Sequence, residues 1–322
     1  MQKRIVDLAA DVSFGEAARK VEEHYNIEVP VTSIQRITKA HAERASDRLE
    51  CLVEAAARDE NVDSGLGVTV LIAETDGTMV PIVSFSEDAK QQGNDRRKQR
   101  QTCWMEAKLC LAGQPDAVAR TFAATLGNPD SAGDCLYYCA VREGHSFDTM
   151  VHCVADGAPW IASQVDRVFG THGSFLVDFY HVTEYLANAA KFCATGAEKE
   201  WIHSQQSDLK QGKLQNVLSR LIIQPDTVDY CDIDDNPVRK CYRYLLARHD
   251  QLNYKRAIEH GLPIGSGEIE SAHRTVIQRR LKIPGAWWLP DTAHNMLALR
   301  CLRANGDWSG YWRDYVEELE AA

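Results

Sequence analysis

The residues best placed to do chemistry are a few acids beside glycines and one basic helix. Gly265-Ser266-Gly267 opens a helix with Glu268 and Glu270 on its first turn, followed by Arg274, Arg279, Arg280 and Lys282 with no acid before Asp291. A carboxylate beside a basic helix suits a hard cation and a phosphate backbone. Acids in a first turn also simply favour the helix dipole. With roughly 3.6 residues per turn, Glu270 shares a stripe with Ile277 and Leu281, and Glu268 shares one with Ser271, Thr275 and Arg279. This predicts Glu268 as a solvated capping acid and Glu270 at the top of a half-buried face.

Two further acids precede glycines, in Asp76-Gly77 and Asp156-Gly157. Each alone is what a tight turn favours. Asp178, with His181 three residues on, reads either as the N-cap of a following helix or as part of a pair beside a site.

The elements that must position these acids follow from periodicity. Ser13-Phe14-Gly15-Glu16 and Thr32-Ser33-Ile34-Gln35 fit capping boxes, so residues 1–48 read as a helical pair. The second of these helices turns Ser33, Gln35, Arg36 and Lys39 outward, a set that could enter a DNA groove. Residues 44–63 read as a polar helical connector. Val68 to Ala73 then reads as a strand, Asp76-Gly77 as a turn, Met79 to Phe85 as a second strand and Trp104 to Ala112 as a third. Between the last two lies a polar loop with Arg96, Arg97, Lys98 and Arg100. Residues 115–128 are ambiguous.

A helix is expected over Asp134–Glu143, a strand over Thr149–Ala155, a helix over Pro159–Phe169 and a fifth strand over Ser174–Val177. A mostly helical stretch follows to about Gly261, with an acidic loop at 232–235. A last helix covers about Asp291–Arg303, and an aromatic tail ends in Trp308 to Trp312. This order is that of an α/β, RNase H-like mixed sheet flanked by helices. It carries an all-helical insertion and an N-terminal helix-turn-helix-like segment. The expected division is 1–60, 61–182, 183–262 and 263–322. In that topology Asp76 ends the first strand, Asp156 ends the fourth and Glu270 begins the last helix. Three such carboxylates suit Mg²⁺ or Mn²⁺, two ions about 4 Å apart in a phosphoryl-transfer site.

Composition sets the bounds. The chain has 322 residues, 44% hydrophobic and 25% charged, enough for a substantial core. No apolar run approaches the roughly 20 residues of a membrane span, and the start lacks a signal-peptide pattern. The ten cysteines lack close pairing; Cys135 and Cys139 read as neighbours on one helix face, so free thiols in a reducing cytoplasm are expected. A net charge of −10 opposes indiscriminate nucleic-acid binding but leaves room for local basic surfaces.

Four ordered segments carry a resemblance. Asp76 to Pro81, Ala155 to Ile161, Asp178 to Leu186 and Gly261 to Glu270 are similar to segments of Kra-type bacterial insertion-sequence transposases, DDE enzymes related to Mutator-like transposases. The resemblance spans about Ser13 to Trp312. It implies Asp76, Asp156 and Glu270 as catalytic, metal-binding carboxylates, and Asp178-x-x-His181 as a supporting or DNA-contacting pair. It also implies cleavage at element ends that frees a 3′-OH for attack on target DNA. The expected partners are terminal inverted repeats and target, both double-stranded DNA, held by a homodimer near the bacterial nucleoid. Arg36, Lys39, Arg96, Arg97, Lys98, Arg100, Arg274, Arg279, Arg280 and Lys282 are the candidate DNA contacts. Family members carry more sequence ahead of the helical pair, and an apolar residue where Glu268 stands. Two other expectations stand beside this one: a truncated or inactive transposase-derived DNA-binding protein, and an RNase H-like nuclease without strand transfer.

Overall fold

A computed structural model describes residues 1–58, 67–85, 100–222 and 236–321. The chain is α/β, with five described strands of mixed sense flanked by helices. None of the described helices is long and apolar enough to cross a membrane. The chain divides into two compact units, residues 1–149 with 268–322, and residues 150–267.

The first unit opens with three helices: α1 (Gln2–Ala9), α2 (Phe14–Tyr25) and α3 (Val31–Arg58). Ser13 caps α2 as its sequence predicts, its hydroxyl accepting from Glu16 N–H at 3.2 Å. The second capping box is not a cap, because α3 already begins at Val31 and Thr32 lies inside it. Nor is the stretch from Arg44 a mere connector. α3 runs unbroken for 28 residues and buries Ala42 and Ala45 in the main core. Its outer side pairs Arg44 with Glu318 at 2.5 Å and Arg48 with Asp314 at 2.7 Å.

The antiparallel strands of this unit are β1 (Val70–Phe85), β2 (Arg100–Gly113) and β3 (Thr121–Thr125). Here the largest correction falls. Asp76-Gly77 is no turn, and Asp76 does not end a strand. β1 is one 16-residue strand, with Asp76 opposite Leu109 and Gly77 opposite Lys108 in a register continuous from Ile72 to Phe85. An Asp-Gly pair makes a hairpin only when its flanks pair with each other; here both flanks pair with β2. The third strand of the meander is β3, inside the ambiguous 115–128. Helix α4 (Pro129–Arg142) starts before the predicted Asp134, capped by Asn128, whose side chain accepts from Ser131 N–H at 2.9 Å. Cys135 and Cys139 are buried on it, and the nine described cysteines are all free.

The sheet alternates faces with period two. Val80, Ile82, Ala107, Leu109 and Leu111 share a core with Ile269, Ile277 and Leu281, and with Met296 and Leu297 of α12 (Pro290–Ala304; numbered in chain order). The aromatic tail packs as helix α13 (Trp308–Ala321). Its Tyr311, Trp312 and Tyr315 rings surround His41 at centroid distances of 5.9, 4.5 and 4.7 Å. His41 hydrogen-bonds Tyr311 Oη at 2.7 Å and Gln2 Oε1 at 2.8 Å. Burial, then the nearby Arg44, push its pKa down to about 4.

A histidine held neutral when folded must gain a proton on unfolding below its free pKa of about 6.5. Its stabilising contribution is therefore full above about pH 6.5 and is lost as pH falls toward 4. Denaturant midpoints measured from pH 7.5 to 4 are expected to fall across this window, with a shallower fall in His41→Asn. Equal slopes in the two proteins would show that His41 does not carry the effect.

The second unit holds the parallel strands β4 (Met150–Ala155) and β5 (Gly173–Val177), paired from Val151–Gly173 to Ala155–Val177. Helix α5 (Pro159–Phe169) connects them, with Pro159 in its first turn as predicted. Helices α6 (Phe179–Cys193), α7 (Glu198–Lys210), α8 (Leu214–Ile222), α9 (Pro237–Ala247) and α10 (Tyr254–Glu259) follow. They close a core around Leu176, Phe179, Leu186, Leu218, Leu245 and Tyr254. The acidic loop at 232–235 and the basic residues Arg96, Arg97 and Lys98 lie outside the described residues.

Candidate functional site

Alternation along β1 puts Glu74, Asp76 and Thr78 on one face, and in the first unit that face meets the helix following the glycine loop. Helix α11 (Gly267–Ala272) continues through a π-helical turn, His273–Gln278, and a last turn, Arg279–Leu281. Three contacts join strand and helix in order. Glu74 Oε2 accepts the Ile269 N–H at 2.8 Å, Asp76 Oδ2 lies 3.4 Å from His273 Nε2, and Lys282 Nζ donates to Thr78 Oγ1 at 2.6 Å. Glu74 is 1% exposed and supplies a charge-assisted bond where the helix has orphan donors. It went unnoticed in the sequence, although an acid inside an apolar strand two residues from Asp76 is a visible signal.

The π turn changes which residues face inward. The buried positions are Ile269, Ala272, His273, Val276, Ile277, Arg280 and Leu281. Ile277 and Leu281 are buried as expected, but Glu270 is exposed and does not top their stripe, because the stripe assumed an uninterrupted 3.6-residue period. Arg300, itself buried, holds the turn: its Nε donates to Val276 O at 3.0 Å, its Nη2 to Thr275 O and its Nη1 to Ala10 O at 3.1 Å. π turns of this kind concentrate at functional sites.

Glu268 is not a free cap acid either. Arg120 grips it as a fork, with Nε to Oε2 at 2.6 Å and Nη2 to Oε1 at 2.8 Å. The remaining Arg120 nitrogen bonds Gln114 O and Ala117 O at 2.6 and 2.7 Å. Glu270 has no hydrogen bond or ion pair among the described residues. It sits three positions before His273, a separation that makes helical neighbours. His273, three positions after Glu270, is the residue of this helix that meets Asp76.

In the second unit Asp156 follows β4, and its Oδ1 accepts the Ala158 N–H at 2.9 Å. Helix α9 and the residue just past it hold the backbone of this turn. Tyr244 Oη donates to Asp156 O at 2.9 Å, and Arg248 Nε donates to Gly157 O at 2.9 Å. Gly157 has φ +83°, and a Cβ there would lie 2.6 Å from Tyr244 Oη, so the turn requires glycine twice over. Tyr185 stacks on Tyr244 with centroids 4.0 Å apart, and the Arg248 guanidinium lies 4.0 Å from the Tyr244 ring centroid. Tyr244 and Arg248 were not read from sequence, since nothing local ties them to a residue 88 or 91 positions away.

Asp178 is 4% exposed and fully engaged. Its Oδ1 accepts from Tyr180 N–H at 2.6 Å and His181 N–H at 3.0 Å, capping α6. Its Oδ2 accepts from Ser266 N–H and Ser266 Oγ, both at 2.6 Å. It thereby pins the Gly265-Ser266-Gly267 loop, where a Cβ on Gly265 would lie 2.7 Å from the Tyr180 ring. His181 is half-buried, 5.5 Å from the Tyr185 ring and 5.9 Å from the Tyr244 ring.

The basic helix separates into two kinds of residue. Arg274 and Arg279 are exposed, Arg279 within 3.7 Å of Asp11. Arg280 is 2% exposed, with its guanidinium 4.8 Å from the Phe14 ring and 4.6 Å from the Trp288 ring. Its Nε bonds Ala9 O at 2.8 Å, and burial pushes its pKa down to about 10. It is a packing residue and not a phosphate contact. Burial also lowers the Lys282 pKa. Arg36 and Arg100 are exposed and Lys39 is half-buried.

This sorting predicts different mutant behaviour. Arg274→Ala is expected to reduce the slope of log Kd against log salt for duplex DNA by about 0.9. Arg280→Leu is expected to leave that slope unchanged and to lower the melting temperature.

The donor set is one of hard oxygens, suited to Mg²⁺ or Mn²⁺. Among the described residues, however, no three His, Cys, Asp or Glu side chains are grouped so as to hold a metal ion. Comparison with models of protein families finds no match, and comparison with curated proteins finds none either.

Proposed function

We propose that the chain is a metal-dependent DDE transposase with an RNase H-like core, acting as a dimer on double-stranded DNA. Asp76, Asp156 and Glu270 would hold the ions. The observation that carries the reading is the joining of β1 to the glycine-loop helix through three polar contacts, with Asp76 at the middle one and Glu270 a turn away. An acid in the interior of a strand, facing a helix that presents an unpaired acid and outward arginines, serves phosphoryl transfer better than it serves stability. Bound divalent ions would supply charge neutralisation at the scissile phosphate. The chain's own part is to aim the carboxylates and hold the DNA backbone through Arg274, Arg279, Arg36, Lys39 and Arg100.

The test is incubation of the purified chain with DNA carrying the sequences that flank its gene, with Mn²⁺ or Mg²⁺. Metal-dependent nicking followed by strand-transfer products supports the transposase. Nicking without joined products supports a nuclease. The lack of a three-ligand cluster among the described residues favours one second reading, a protein that binds DNA without cutting it. Retained DNA binding with no nicking in either metal would establish that reading and remove the first.

A further inference from the structure

We propose that a cleft of the first unit binds a small aliphatic diamine. The cleft lies between α3, β3, α4 and α12 and encloses about 330 Å³, within the range of small-molecule sites. α3 lines it with Ser46, Leu49, Glu50, Val53 and Glu54, the i, i+3, i+4, i+7, i+8 spacing of one helical face. Leu49, Val53, Ala124 and Cys135 give it an apolar floor, where burial holds the Cys135 thiol well above its ordinary pKa. The observation that points to a ligand is Ser46. It is 3% exposed and lines the cleft, yet its hydroxyl hydrogen-bonds no described residue. A buried hydroxyl on a helix ordinarily turns back to the carbonyl four residues earlier. Thr38 on the same helix does so, to Ile34 O at 2.7 Å; Ser46 does not. Alanine would fill the position without leaving a buried hydroxyl unpaired, so the hydroxyl is explained by a molecule that it bonds.

The charge of the cleft sets the class of that molecule. Glu50, Glu54 and Asp134 line it, and no lysine or arginine is among the described lining residues. His294 Nδ1 accepts the Leu126 N–H at 3.5 Å, which leaves Nε2 facing Glu50 Oε1 at 3.4 Å. Glu54 pairs with Arg58 at 2.9 Å. Both acids are largely exposed, and exposed pairs are worth little, so a bound ammonium can take the place of either partner. Glu50 and Glu54 stand one helical turn, about 6 Å, apart. Two ammonium groups joined by a short alkyl chain can each meet a carboxylate, with the chain on the apolar floor and the Ser46 oxygen accepting an N–H. This site needs no DNA and stands apart from the transposase reading.

The experiment titrates 1,4-diaminobutane into the full chain, without DNA, and follows binding by calorimetry. Saturable binding is expected. Ser46→Ala should weaken it about tenfold while the melting temperature of the unliganded protein stays at or above wild type. Glu50→Gln should weaken it by a similar factor, and the uncharged 1-butanol should not bind. In the wild type the diamine should shift the ring ¹⁵N resonances of His294 and leave those of His41 in place, a readout that needs no variant. Because the chain carries a net charge of −10, the control is Glu23→Gln, an exposed acid outside the cleft, which should bind as wild type does. Binding that never saturates, that Ser46→Ala leaves unchanged, or that Glu23→Gln weakens as much as Glu50→Gln overturns the proposal. A lysine-rich peptide that shifts His294 when the diamine does not also overturns it, and makes the cleft a protein-docking groove.

Discussion

Asp76→Asn and Asp156→Asn are each expected to lower metal-dependent nicking by about 10³-fold or more while the protein stays folded and still binds DNA. Asn keeps the size and one acceptor of each side chain. At Asp156 the retained oxygen can still accept the Ala158 N–H bond, so the turn should survive while the charge is lost. Glu270→Gln should be as damaging to nicking and nearly silent in stability, because the exposed Glu270 side chain contacts no described partner. Glu268→Gln should do the opposite. It breaks a forked ion pair with Arg120, whose side chain is only 8% exposed; unpairing a largely buried charge costs stability, but no role in cleavage is assigned to this acid. Nicking rates and melting temperatures for the four variants decide the matter. If Glu268→Gln abolished nicking and Glu270→Gln did not, the third carboxylate would have been misassigned.

The largest loss of stability is expected at Asp178. Asp178→Ala removes the cap of α6 and the acceptor of the Ser266 N–H and Oγ–H. Loss of an N-cap costs about 1 kcal/mol, and each of the two buried Ser266 donors left unpaired costs about 1–3 kcal/mol, so a total of about 3–7 kcal/mol is expected. Thermal unfolding should fall by roughly 10 °C or more. Asp178→Asn retains two acceptor lone pairs and should lose about half as much. Because Ser266 sits one residue before Gly267 and α11, proteolysis at the Gly265–Gly267 loop should also quicken in Asp178→Ala. A melting temperature within 2 °C of wild type, roughly half a kcal/mol, would refute this account of the loop.

The sequence gives different accuracy for different residues, for a common physical reason. The Ser13 cap, the Pro159 helix start, the strands ending at Ala155 and Val177 and the capping option for Asp178 were all legible. Each depends on neighbours within about a helical turn. The reading failed where a local signal had a distant competitor. Asp76-Gly77 carries strong turn chemistry, yet the whole of β1 pairs with β2 and the turn never forms. Arg280 counted as one more cation on a basic helix until Phe14 and Trp288 enclosed it.

The glycine loop and its helix show the division most clearly. The chain's residue types alone determined that a helix begins after Gly265-Ser266-Gly267, that two acids lie on its first turn and that arginines follow. Periodicity could not determine which acid is free, because a π turn breaks the period and because Glu268 is claimed by Arg120, 148 residues away in sequence. Only the tertiary structure decided that Glu74 caps the helix, that His273 faces Asp76 and that Glu270 is left without a partner among the described residues. Contacts within a turn are written in neighbouring residues; a side chain's pairing depends on which distant segment the fold lays beside it.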